Sequence, residues 1–552
     1  MSRTRDDLDR LIDDYVSHRV DRRGFLQRSF ALGLSVSAAG SLLAACGGGD
    51  GDEGADTAAA EKVDTALLRL HLDEDIENLD PAIQPGHADG NVASNIFQNL
   101  VSFKPGTYEH VNELAETWEG SEDGLRWDFT LKEGVQFHKG YGEMTADDVK
   151  FSFERVAGLT KPKLESPYAS DWAALKVVEV KDKYSGTVVL KEPYAPLMTT
   201  TIPQQAGEIV SKKAVEERGE KFGTDPVGTG PYEFVEWKRK QRISLKRFAD
   251  NEAVVDFAKA PPWAAIDFVV IGEDNPTLIA LETGELEFAV LPTNAIDRIK
   301  DGGKFDVTSK TTLNYNWIGM NVLHESLKDK NVRLAVRYGV DVPSILEAAF
   351  DGRWEQATAI LPPGMPIGYW EEAPKYERDV EQAKQYLADA GAEGLKLVMS
   401  VSADEPGAET VAEIVQANLN EVGFQIEVQV QEGGVFGQAT KEANAKKQLF
   451  YTGFTTNPDP SWSTVWFTCD QVDVWNWMSW CNEEYSRLDK EAARTVVDDD
   501  RHEMYIQMQQ IMDEDVPAVW VAWPTDFFAT KKGIKPSLAP DGDYDAWSFT
   551  TA

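Results

Sequence analysis

Helix-period and strand-period patterns of apolar residues alternate along this sequence, with no repeat period. Thr145-Ala146-Asp147-Asp148 has the form of a helix start with an acid at the third position, and Val149, Phe153 and Val156 then fall on one face. Asn275-Pro276 opens a second predicted helix that runs to Gly284, after which Leu286, Phe288 and Val290 alternate as a strand. Asp379 to Gly391 predicts a capped helix ending in a glycine. Thr410 to Gly423 predicts another, followed at once by Phe424, Ile426, Val428 and Val430 with period two. Helices that feed directly into strands favour mixed or parallel sheets covered by helices, so the fold class is α/β. Asp301-Gly302-Gly303 interrupts the pattern before a new strand, Leu313 to Val322, and a second break falls at Val516-Pro517. Val519 to Trp523 reads as a strand beyond it, and the remaining tail is too short for a domain, so it should return to one built earlier.

The N-terminal stretch follows a different logic. Met1 to Arg28 is polar and charged, Phe30 to Ala45 carries no charge, and Cys46 follows. A charged region, an apolar run of about 15 residues and small residues before a cleavage point form an export signal. The apolar run is shorter than the roughly 20 residues that span a bilayer, so it reads as removed rather than retained. Arg22-Arg23-Gly24-Phe25-Leu26 resembles the twin-arginine export motif, and Leu43-Ala44-Ala45-Cys46 resembles a lipobox, in which the cysteine thiol takes a lipid. Gly47 to about Glu61 has few apolar side chains to bury and reads as a flexible tether.

Composition narrows the function classes. With 552 residues, 42% of them hydrophobic, the chain can bury a large core distributed over three or so domains. Acidic residues number 93 against 55 basic ones, a net charge of -38, and no basic patch interrupts them. Such a surface repels phosphate backbones and argues against a nucleic-acid partner. The lipobox accounts for one of the 3 cysteines, leaving Cys469 and Cys481. In an exported protein pairing is the default. A metal site would need further ligands, but His502 is the nearest histidine and no second pair of thiols exists. No Gly-x-Ser-x-Gly elbow, His-Glu-x-x-His helix or Gly-x-x-x-x-Gly-Lys loop occurs, and Gly228-Thr229-Gly230-Pro231 starts like a dinucleotide loop without its third glycine. A hydrolase built on paired carboxylates stays open on composition alone.

Several segments resemble the peptide/nickel-type solute-binding proteins of ABC importers, extracellular solute-binding protein family 5. Asn112 to Val156 carries Leu114-Ala115, Trp118, Asp123-Gly124, Phe129, Leu131, Gly134-Val135, Phe137-His138, Thr145-Ala146 and Asp148-Val149. Leu79 to Ala82 (LDPA), Pro226 to Phe234 (PVGTGPYEF), LETGELEFAV, NVRLAVRYGVD and EQAKQYLADAG extend the likeness from about residue 66 to about 530. Phe129, Leu131, Val135 and Phe137 alternate as a half-buried strand, and His138 reads as a satisfied edge residue rather than a ligand.

The resemblance implies a type II periplasmic-binding-protein-like fold of two lobes with mixed sheets and an extra subdomain in the larger lobe. It divides the chain into a signal peptide at 1–45, a tether at 46–62, a lobe I main subdomain at 63–105 with 221–303 and 516–552, an extra subdomain at 106–220, and lobe II at 304–515. It implies a ligand held between the lobes by Glu77 and Asn78, by Tyr315, Asn316 and Trp317, and by Thr455, Thr456, Asn457, Asp459 and Trp462. Relatives with a comparable cysteine pair support a Cys469–Cys481 disulfide. Peptide-binding members place an aspartate soon after a Gly-aromatic pair to grip a free amine, but Gly453-Phe454 is followed by Thr455-Thr456-Asn457-Pro458-Asp459-Pro460. Either Asp459 or an acid such as Glu77 takes that role, or the cargo is a blocked peptide, a sugar, a metal chelate or another solute. The implied protein is a monomeric, non-enzymatic lipoprotein without cofactor, anchored through Cys46 to the outer face of the cytoplasmic membrane and delivering its solute to a permease whose ATPase uses the ATP. A sensing or chaperone-like surface protein is the alternative from another class.

Overall fold

The computed structural model describes residues 64–84, 87–249, 261–437 and 441–551. The expected export segment and tether, with Arg22, Arg23 and Cys46, lie outside the described residues. Among the described residues no helix is long and apolar enough to cross a membrane.

The chain forms two lobes, each built on a mixed sheet. In the first, seven strands lie in the order Tyr232–Lys238, Arg242–Arg247, Ala265–Val270, Leu68–Leu72, Phe288–Leu291, Thr525–Lys531, Phe305–Thr311. Leu68–Leu72 runs parallel to both of its neighbours, whereas every other pairing is antiparallel. Leu68, Leu70 and Leu72 point one side of this central strand into the core. A four-stranded antiparallel sheet, Ala115–Gly120, Arg126–Leu131, Ser185–Leu190 and Leu175–Asp182, shares that core through Phe129, Leu131 and Val188. The helix Ala146–Val156 packs beside it, with Phe153 4.4 Å from Trp172 between ring centres. Asp148 Oδ2 accepts from the Thr145 backbone N–H at 3.0 Å, closing the capping box read from the sequence.

The second lobe carries six strands in the order Glu355–Gln356, Ala518–Trp523, Tyr315–Met320, Leu449–Phe454, Lys396–Ser402, Gln425–Gln431. The helix Ala408–Val422 buries Val411, Val415 and Leu419 against the sheet and stops at Gly423, whose φ of 118° is open to glycine and strained for other residues. Gln425–Gln431 follows immediately, as the periodicity predicts, and pairs parallel with Lys396–Ser402. Burial of each such aliphatic side chain contributes about 1.5–3 kcal/mol.

The chain passes between the two sheets twice. The first passage is Thr312–Asn314, because Phe305–Thr311 still pairs with Thr525–Lys531 in the first sheet. The return is Pro524, because Ala518–Trp523 pairs with Tyr315–Met320 in the second. Both passages lie later than the boundaries expected at 303–304 and 515–516. The glycines at 302 and 303 end a short helix rather than a lobe. The two passages are joined, with Thr312 N and Oγ1 donating to the Pro524 carbonyl at 2.8 and 3.1 Å.

Candidate ligand-binding cleft

The parallel strands Leu68–Leu72 and Phe288–Leu291 deliver their carboxyl ends to one edge of the first sheet, where open α/β sheets form crevices. His71, Leu72, Asp73, Val290, Leu291 and Pro292 there line a cleft of about 780 Å³, a volume suited to a small organic ligand. Asp274, at the start of the helix Asp274–Thr283, joins them, as do Asp526 and Phe528 and the segment Asp541–Tyr544. Asn91, Tyr168, Asp171, Thr200, Gln204, Gln205 and Ala206 close one side. The second lobe contributes Thr455, Thr456, Asn457 and Trp462, and Asn314 enters from the first passage. Asn314 also fixes the opposing loop, because its Oδ1 accepts from Thr456 N at 3.0 Å.

The charge of the lining has one sign. Asp73, Asp171, Asp274, Asp526, Asp541 and Asp543 face the cleft, and no lysine or arginine is among its described lining residues. Low-dielectric walls of one charge concentrate the field and favour a cationic ligand group. Burial pushes the Asp171 carboxyl up to about 6. His71 is held by the Ile271 carbonyl at 2.8 Å and by Thr277 Oγ1 at 3.1 Å, and burial lowers its pKa, which favours the neutral ring.

Thr455, Thr456, Asn457 and Trp462 therefore line the cleft; the other six residues expected there do not. Glu77 and Asn78 donate their backbone N–H groups to Asp89 Oδ1 at 2.8 and 2.7 Å, and Asn78 Oδ1 accepts from Asp80 N, so this segment is a structural turn after the central strand. Tyr315, Asn316 and Trp317 belong to a central strand buried at every position because both of its faces are covered, Tyr315 and Trp317 packing in one apolar cluster and Ile318 and Met320 in another. Tyr315 and Trp317 pack with Phe467 and Trp520, while Asn316 Nδ2 donates to Glu405 at 3.2 Å.

Asp459 is the clearest correction. It caps the helix Pro460–Thr464 through Ser461 N at 2.9 Å, and both of its oxygens accept from Arg501 Nη2, at 3.0 and 2.8 Å. Thr199 Oγ1 donates to Oδ2 at 2.5 Å. Desolvation opposes the charged form, but Arg501 and these donors win and hold the carboxyl below its usual range. An oxygen pair so occupied, on a fully buried residue, has no face to offer a ligand amine. His138, read from the sequence as a satisfied edge residue, is fully buried, with Nε2 2.8 Å from the Gly230 carbonyl and Nδ1 without a hydrogen-bond partner.

The residues that sequence reasoning missed are those of the first lobe: His71, Asp73, Tyr168, Asp171, Gln204, Asp526 and Asp541–Tyr544. They come from distant points of the chain and share only their placement at one edge of the sheet. Position after the carboxyl end of a predicted parallel strand is the signal that could have picked out Asp73 and Pro292.

Comparison with known proteins agrees with this architecture. The family model for bacterial extracellular solute-binding proteins, family 5 Middle, matches residues 109–473. The dipeptide-binding protein of Escherichia coli (strain K12) is 30% identical over 465 residues, covering 80% of this chain and 86% of that one. Di/tripeptide-binding protein 1 of Pseudomonas aeruginosa (strain UCBPP-PA14) is 27% identical over 469 residues, covering 80% and 86%. The solved structure of HbpA2 from Haemophilus parasuis superposes with a TM-score of 0.80 at 25% identity, covering 88% of this chain and 100% of that one. On these grounds the chain belongs to the family 5 extracellular solute-binding proteins.

Proposed function

We propose that the protein captures short peptides between its lobes and delivers them to an ABC permease, without chemical change to the cargo. The observation that carries this reading is the cleft itself. Its volume of about 780 Å³, its threonine, asparagine and glutamine side chains and its aromatic residues Trp462, Phe528 and Tyr544 suit peptide amides and variable side chains. The relatives named for di- and tripeptides support the same ligand class. Ligand bridging Thr455–Asn457 and the first lobe stabilises a closed form to the extent that it contacts both, with Thr312–Asn314 and Pro524 absorbing the rotation. The permease reads that form.

A thermal-shift screen over di- to pentapeptides, oligosaccharides and nickel chelates tests the ligand class. Stabilisation by peptides is expected, by about 2.7 kcal/mol at a ligand concentration 100 times Kd, with the peptide recovered intact. Stabilisation by sugars or chelates alone would overturn the peptide reading, and turnover of the peptide would overturn the non-enzymatic one.

We assign the chain to the outer face of the cytoplasmic membrane, reached by the twin-arginine route and held by a lipid on Cys46. The order Arg22-Arg23, apolar run, Leu43 to Cys46 supports this. Replacing both arginines, Arg22→Lys with Arg23→Lys, is expected to leave precursor in the cytoplasm on fractionation. Unchanged export would point to the general secretory route instead.

A further inference from the structure

A chamber of about 130 Å³ adjoins the cleft and shares Asn91, Gln204, Gln205, Asp541, Asp543 and Tyr544 with it. Glu113, Glu208 and Asp545 also line it. Glu208 is 6% exposed, and its Oε2 has no hydrogen-bond partner. Its place is set by the backbone. Glu208 N donates to Gln205 O, the next residue's N–H donates to Gln98 O, and a Cβ on the preceding Gly207 would lie 2.2 Å from the Ile202 carbonyl oxygen. An unpaired buried carboxyl oxygen is costly, and this one belongs to a residue that lines the chamber.

The cations nearby are already engaged. Arg155 is held by both oxygens of Asp80, at 2.7 and 2.5 Å. Lys104, on the rim of the chamber, is exposed and reaches Glu109 at 3.0 Å. Glu113 accepts from Asn99 N at 2.9 Å and Gln98 Nε2 at 3.1 Å, which orders its carboxylate, and Lys132 acts on it through space. Among the described residues no three acidic, histidine or cysteine side chains are placed to hold a metal ion. An organic cation, with directed N–H donors and a larger radius, matches such spacing better than a divalent metal.

We propose that this chamber receives the positively charged group of the cargo, a primary ammonium or a guanidinium reaching in from the cleft, with Glu208 as its main acceptor and Glu113 and Asp545 as flanking charges. The proposal rests on the reading that the cleft holds a short peptide, and it moves the grip on the amine from the second lobe, where Asp459 is taken, to the first. Burial pushes Glu113 up to about 7 against the pull of its hydrogen bonds and Lys132, and burial with the charges of Glu113, Asp545 and Asp80 pushes Glu208 well above the usual range, which a bound cation would relieve.

The test compares matched tripeptides on the full-length protein by calorimetry: free against N-acetylated amine, and lysine against norleucine at each position. Removing the docking ammonium should weaken binding about 10-fold or more, the range of a charge-assisted hydrogen bond in a buried site. That penalty should shrink to about 2-fold or less in Glu208→Gln, which keeps the shape but takes away the carboxylate that a bound cation would pair with; retained cooperative unfolding checks the fold. Equal binding of charged and uncharged peptides, or a penalty undiminished in Glu208→Gln, would overturn the chamber and leave the peptide reading standing. Binding of free diamines, lost in Glu208→Gln, with no response to any peptide would uphold the chamber and overturn the peptide reading.

Discussion

Arg501→Met is expected to lower the unfolding free energy by about 3–5 kcal/mol, the cost of leaving one member of a buried ion pair without its partner. Arg501 and Asp459 have side chains 2% and 0% exposed, so water cannot replace what is removed. Arg501 Nε also donates to the Ala492 carbonyl at 3.1 Å, tying the long helix Asp498–Asp515 to the end of the helix Glu483–Ala492. Asp459 would keep only Thr199 and Ser461 as donors in a dry site. Removing both charges together, as Asp459→Asn with Arg501→Met, should recover part of the loss. Urea unfolding curves of the parent, the Arg501→Met variant and the double variant check this. Single-variant losses below about 1 kcal/mol would mean that solvent reaches the pair.

The second large effect concerns the bond between Cys469 and Cys481, whose Cα atoms lie 4.6 Å apart with 12 residues of sequence separation. Closing a loop of this length should contribute about 3 kcal/mol in the chain-entropy model. The loop also carries core structure. Asn476 Nδ2 donates to the Phe467 and Trp480 carbonyls at 3.1 and 2.7 Å, and Trp477 packs against Phe436 and Phe450. Cys469→Ser with Cys481→Ser should therefore unfold at lower urea than the parent and become indifferent to reductant, while the parent should weaken when reduced. Equal stability with and without reductant, or two free thiols in protein collected outside the cytoplasm, would remove the prediction.

Much of the fold was legible because its signals are local. Helix Ala408–Val422, its glycine stop and the strand after it can be read from fewer than about 25 consecutive residues, as can the capping box at Thr145. The site was legible only on the side where a contiguous loop builds it, Thr455 to Asn457. Tyr315 to Trp317 misled because a central strand buried on both faces offers the same aromatic residues that a cleft would. Asp459 was readable in another way. An aspartate before proline and serine is a helix N-cap with proline at the first helical position, and that local role leaves its oxygens committed. Beyond Asp73, the acidic wall of the first lobe has no local signature, since Asp171, Asp526 and Asp543 meet it only once the sheet is formed.

The position of Thr525–Lys531 bears on the order in which the molecule can be made. This strand lies between Phe288–Leu291 and Phe305–Thr311, inside the seven-stranded sheet rather than at its edge. On the ribosome, the strands of the second lobe from Tyr315 to Trp523 emerge as one uninterrupted block and can pair as they appear, whereas the first sheet stays split until Lys531 has been synthesised. The half of the molecule begun first is thus finished last. A route that moves the protein across the membrane already folded must wait for the whole chain to be released, and a route that threads it unfolded would postpone the closing of that sheet to the far side.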